Sequence, residues 1–140
     1  MDTITKVAQS SFRQGLSDEP TFMIKLTNSK FDNLAGSELL TKVQSWIVTN
    51  LMINNQSVPT LIVDMENVEF IDSQGLQKLL ASLRLMQSQK SNLVLCSQQP
   101  PVSLVFEITR IDQLFAIFPC INTLMNLDVR QQAYSHLVAA

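Results

Sequence analysis

Charge, glycine and histidine are scarce in this chain, and each scarcity removes a class of function. Charged side chains make up 16% of the 140 residues and sum to a net −2. That leaves no broad basic field to hold nucleic acid, so direct nucleic-acid binding is not expected. One histidine, His136, and two cysteines, Cys96 and Cys120, fall short of a zinc cluster. Both cysteines lie in or beside apolar segments, which predicts buried thiols in a reducing compartment over a disulfide. The only glycines are Gly15, Gly36 and Gly75, and no glycine-rich loop carries a lysine, so a Walker-type nucleotide site is absent. No apolar run reaches the roughly 20 residues of a membrane span. The start, Met1-Asp-Thr-Ile-Thr-Lys6, has no signal-peptide hydrophobic region. The expectation is a cytoplasmic protein with no membrane span, no metal and no cofactor.

What is present is apolar material: 46% hydrophobic residues, enough for one sizeable core in one domain. The stretch from Thr60 to Cys96 organises the rest. Thr60-Leu-Ile-Val-Asp64 and Asn92-Leu-Val-Leu-Cys96 are short and apolar, as buried strands are. Between them Leu76, Leu79, Leu80, Leu83 and Met86 repeat on one helical face. Strand, helix and strand make a βαβ unit with parallel strands and a right-handed crossover. Upstream, Thr21–Thr27 alternates as a strand, and Thr3–Val7 is a candidate edge strand. A helix capped by Asp32 or Ser37 then runs to about Asn50, with Ala35, Leu39, Leu40, Val43, Trp46 and Ile47 as its apolar stripe. Downstream, Pro100-Pro101 opens a short helix ending near Thr109, with Val105 and Ile108 facing inward. Leu114–Phe118 reads as a last strand, and a final helix starts near Asn122. The predicted fold is α/β, a single domain with a mixed four- to five-stranded sheet and about four helices packed mainly on one face. The N-terminal segment spans 1–20, the domain 21–128, and a helix end or tail 129–140.

The βαβ unit brings the start of its helix, Asp72-Ser73-Gln74-Gly75, beside the carboxyl ends of the strands, where α/β proteins usually place function. Ser73 as a catalytic nucleophile lacks the G-x-S-x-G elbow, and its only candidate histidine base, His136, is in a tail that need not come near. Glu66, Glu69 and Asp72 could do acid–base work, but loop carboxylates are more often simply solvated. Asp64 at a strand end superficially suits a phospho-aspartate receiver. That reading fails because no acidic pair follows the first clear strand and no lysine follows the last. Asp64 is then a strand-end hydrogen-bond acceptor. The helix start is at most a weak anion site. Ser73 itself is either part of an ordinary helix cap or an exposed hydroxyl with a role of its own. Gly75 is either a tight packing site or a place where a partner's backbone comes close.

Leu61-Ile-Val-Asp64, Val68-Glu-Phe-Ile-Asp72-Ser73-Gln-Gly75-Leu76 and Asn92-Leu-Val-Leu95 resemble a STAS domain of the anti-sigma factor antagonist type. The likeness continues through Leu104–Ile117. The resemblance implies a non-enzymatic switch in which Ser73 is phosphorylated by a serine kinase that doubles as the anti-sigma factor. A PP2C-type serine phosphatase reverses the modification, and the unphosphorylated form binds the kinase. The partner surface expected on that basis is Glu69, Phe70, Asp72, Ser73, Gln74, Gly75 and Lys78. Self-association into a homodimer stays open. The sequence departs from the family pattern at Gln74, where a small residue is usual, at Asn28–Asp32, which lacks the usual glycine, and at Arg110, which replaces a glycine. The alternative is a STAS adaptor that is never phosphorylated, in a transport or lipid-trafficking complex.

Overall fold

The computed structural model describes residues 4–7, 21–54 and 58–119. Among the described residues seven strands and three helices follow one another: β1 (Ile4–Val7), β2 (Thr21–Lys25), β3 (Lys30–Phe31), α1 (Asn33–Asn54), β4 (Thr60–Asp64), β5 (Phe70–Ile71), α2 (Ser73–Ser88), β6 (Leu93–Cys96), α3 (Pro100–Thr109) and β7 (Ala116–Phe118). A single 3-10 turn, Ile111–Gln113, joins α3 to β7. The main sheet has the order β1-β2-β4-β6-β7, with β1 antiparallel on the edge and the other four strands parallel. Leu61–Asp64 lies in register with Leu93–Cys96, so the expected βαβ unit is the centre of the molecule. The candidate edge strand is β1. The final helix expected from Asn122 lies outside the described residues, as do Cys120 and His136.

Strand alternation divides the core in two. Ile24, Leu61, Val63, Leu93 and Leu95 point to one face, where they join Leu39, Val43, Leu79, Leu83, Met86, Val102 and Phe106 from the three helices. Ile62, Val94, Cys96, Ala116 and Phe118 form a smaller cluster on the other face. No residue of the three described helices belongs to it, so those helices share one side. Each large aliphatic side chain buried this way stabilises the fold by about 1.5–3 kcal/mol.

Four local readings are corrected. The helix α1 does not stop near Asn50. That side chain is buried and donates from Nδ2 to the Trp46 carbonyl at 2.8 Å, bonding into the helix where it was expected to end it. Ser37 does not cap α1; Asp32 does, accepting from the Ala35 N–H at 3.0 Å. In α3, Val102 and Phe106 are the buried pair and Val105 packs half-buried against the core as expected, but Ile108 is 71% exposed because it falls on the opposite side of the helix. The segment 66–72, read as a loop, contains a two-residue strand, and another precedes α1. These strands, β3 and β5, pair in parallel, Lys30 with Phe70 and Phe31 with Ile71.

Candidate functional site

The β3–β5 pair fixes the candidate site. Each short strand leads into an aspartate that caps a helix. Asp72 accepts from the Gly75 N–H at 2.8 Å, the same i to i+3 bond that Asp32 makes to Ala35. Because β3 and β5 are hydrogen-bonded neighbours, the N-termini of α1 and α2 open side by side. Their exposed N–H groups and aligned dipoles make this end of the domain locally favourable to negative charge.

The loop from Met65 to Glu69 that delivers β5 is tied down at most of its residues. The Met65 N–H donates to the Cys96 carbonyl at 2.9 Å, and the Val68 N–H to Met65 at 3.0 Å. Asp64 Oδ1 accepts from the Glu66 N–H at 3.0 Å, so Asp64 is a strand-end acceptor. Gln99 Nε2 donates to the Glu66 carbonyl at 2.8 Å, and Asn67 Nδ2 to the Leu26 carbonyl at 3.3 Å. The Ser29 carbonyl accepts from both Glu69 and Phe70. Met65 and Val68 are fully buried beneath. Across the loop an exposed ion pair joins Lys25 Nζ to Glu66 Oε1 at 2.9 Å. The hydrogen bond and charge of Glu66, with a further pull from Asp64, raise the Lys25 pKa above its ordinary value.

On this platform the predicted residues separate into two groups. Ser73 is the first residue of α2 and is exposed, as are Gln74 and Glu69. Asp72 is half-buried by its capping bond. Lys78 is half-buried, its stem lying against Gly36 of α1. Phe70 is 46% exposed with the Lys30 ammonium 5.3 Å from its ring centroid, while Ile71 takes the core position. Phe70 therefore belongs to the surface. Gly75 is buried, and a Cβ there would run into the backbone carbonyl of Phe31. Its role is packing: it lets α2 start against β3, and it offers no backbone to an outside molecule.

Sequence reasoning missed Lys30, Asn33 and Leu34, which the β3–β5 pairing carries to the same end. Leu34 is 68% exposed. A signal existed: Phe31-Asp32-Asn33-Leu34-Ala35 echoes Ile71-Asp72-Ser73-Gln74-Gly75 as apolar, Asp, two variable residues, small. Among the described residues no group of three acidic, histidine or cysteine side chains could hold a metal ion. No described helix is long and apolar enough to cross a membrane.

The site is thus an Asp-capped helix that begins on serine, set beside a parallel βαβ centre. The family model of the STAS domain matches residues 10–124, and the chain belongs to that family. Among curated proteins none matches the chain. Solved structures share the fold. One is a Thermotoga maritima protein provisionally assigned as an anti-sigma factor antagonist, with 21% identity, TM-score 0.58, and 81% of this chain and 91% of that one covered. Bacillus SpoIIAA in its phosphorylated form has 18% identity and TM-score 0.52, with 82% and 90% covered. The murine anion transporter Slc26a9 has 15% identity and TM-score 0.56; the match takes in 100% of this chain but 23% of the transporter. The domain thus resembles anti-sigma factor antagonists, and one STAS neighbour is part of a transporter.

Proposed function

We propose that this protein is a non-enzymatic partner switch governed by phosphorylation of Ser73. The observation that carries the reading is the exposed Ser73 hydroxyl on the first residue of α2, directly after the capping Asp72. A kinase can reach that hydroxyl without opening the core. The unphosphorylated protein binds a serine kinase that serves as anti-sigma factor, and a PP2C-type phosphatase restores that form. Glu69, Phe70, Ser73, Gln74 and Lys78 contribute the contact surface, with Asp72 holding the helix end and Gly75 its packing.

A phosphate at Ser73 brings about −1.5 to −2 charges. The helix N-terminus favours it by roughly 0.3–1 kcal/mol. The carboxylates of Asp72, Glu69 and Glu66 oppose it through solvent and salt. The two effects are of similar size, so the fold persists. A partner that meets the bare hydroxyl must instead desolvate a dianion, which costs several kcal/mol unless an arginine or lysine faces it. The switch is therefore local and electrostatic. Incubating the protein with ATP and a serine kinase of the histidine-kinase-like ATPase type tests the assignment by intact mass. One phosphate should appear on the wild type and none on Ser73→Ala. A phosphate on the alanine variant refutes Ser73 as the acceptor.

The second reading is a STAS adaptor that works without phosphorylation. The fold likeness to the Slc26a9 transporter domain favours it. Absence of any modification, together with constitutive binding to a transport protein, distinguishes it.

A further inference from the structure

A second surface, which meets the Ser73 surface only at Lys78, lies on the outer side of the two parallel helices. We propose that the groove between α1 and α2 docks an amphipathic helix of a partner protein that carries carboxylates beside its apolar face.

The groove is shallow and open to solvent, with about 420 Å³ of accessible space, and is lined by Leu40, Gln44, Ala81, Arg84, Leu85 and Ser88. Leu40, Ala81 and Leu85 are only partly buried, so an apolar floor meets water. Past the end of α2 the apolar side of α1 continues alone. With 22 residues against 16, α1 outlasts its neighbour: Ser88, the last residue of α2, lines the groove with Gln44, and α1 runs on to Asn54. One and two turns beyond Gln44 on the same side come Val48 and Leu51, 54% and 38% exposed. From Leu40 to Leu51 the stripe is about 16 Å long at 1.5 Å per residue, or three turns. That is the length an amphipathic helix covers with i, i+3, i+4 and i+7 anchors.

Charge selects the partner. The helix α2 contains Lys78 and Arg84 and no acidic residue, and α1 contains one acidic residue, Glu38, and one basic residue, Lys42. No charged residue occurs from Val43 to Val63. Among the described residues neither the Lys78 ammonium nor the Arg84 guanidinium has a hydrogen bond or ion pair. A chain of net −2 thus presents a basic rim along an apolar groove. A helix with glutamates beside its leucines matches both features, and a basic helix is repelled. A second copy docked about a two-fold axis would bring like rims together.

The test uses the full-length, isotope-labelled protein and two synthetic amphipathic peptides of about 14 residues. One carries glutamates beside a leucine stripe; in the other lysines replace the glutamates. The glutamate peptide should shift the amides of Leu40, Gln44, Ala81, Arg84, Leu85 and Ser88 saturably. The lysine peptide should bind at least about tenfold more weakly. Arg84→Glu, at an exposed position, should reverse that preference, and Ala81→Trp should fill the groove and weaken the glutamate peptide by a similar factor. Ser73→Ala should leave all of this unchanged, which keeps the outcome separate from the phosphorylation reading. Shifts absent from the groove, or equal affinity for both peptides, overturn the proposal. So does a doubled sedimentation mass that Ala81→Trp abolishes, because the groove is then filled by a second copy.

Discussion

Replacing Gly75 by alanine should destabilise the domain, although the position is helical and alanine is the better helix former. An added Cβ would lie 2.8 Å from the Phe31 carbonyl carbon and 3.0 Å from Phe31 Cδ2, with the carbonyl oxygen nearer still. The obstacle is backbone, held by β3–β5 pairing and by the Asp72 N–H bond to that same oxygen at 3.3 Å. It cannot swing aside as a long side chain would. Overpacking of this kind costs about 1–3 kcal/mol, and a backbone obstacle belongs at the upper end. Removing a helical glycine returns about 1 kcal/mol. The net loss is about 2 kcal/mol, a fall in Tm of about 5–10 °C for a domain of this size. Urea and thermal unfolding followed by far-UV circular dichroism measure it directly. A Gly75→Ala variant as stable as the wild type, or more so, would refute the packing argument and return Gly75 to the partner surface. Bulkier replacements should abolish cooperative unfolding, so they cannot serve as probes of binding.

Three further outcomes are expected. Asp72→Ala should cost about 1 kcal/mol through loss of the N-cap, and Asp72→Asn should recover most of it in the same unfolding assay. Arg110 sits at φ 63°, ψ 21° after α3. Arg110→Gly should therefore raise stability by up to about 1 kcal/mol, and a measured loss would show that the arginine side chain holds the turn. The raised pKa of Lys25 means its bond to Glu66 favours the fold below the unfolded value of 10.5 and loses that effect as pH rises through the folded value. The small Tm difference between wild type and Lys25→Met should accordingly persist at neutral pH and vanish in strong alkali.

The centre of the fold was legible because its signals were strong and local. The apolar runs at Thr60–Asp64 and Leu93–Cys96 and the leucine spacing of α2 could satisfy little else than buried parallel strands and a covering helix. The exposed hydroxyl at Ser73 followed from the same unit. What stayed hidden depended on contacts across the sequence. Two-residue strands such as β3 and β5 are too short for any periodicity, and only the pairing of Lys30–Phe31 with Phe70–Ile71 brings the α1 start to the site. Gly75 was ambiguous because a packing glycine and an access glycine look alike until the Phe31 carbonyl is seen against it. Phe70 and Ile71 are adjacent apolar residues, and strand alternation decided which of them went inside. The departure at Arg110 has a structural meaning as well: the position still requires a left-handed residue, and the chain places an arginine there at some cost.

The central claim is that the charge state of Ser73 decides partner binding on an unchanged fold. The most direct measurement is the affinity of the proposed serine kinase for two forms of this protein, one with serine and one with phosphoserine installed at position 73. The account predicts that the phosphoserine form binds at least about 100-fold more weakly, the equivalent of nearly 3 kcal/mol. Equal affinity for the two forms would contradict it.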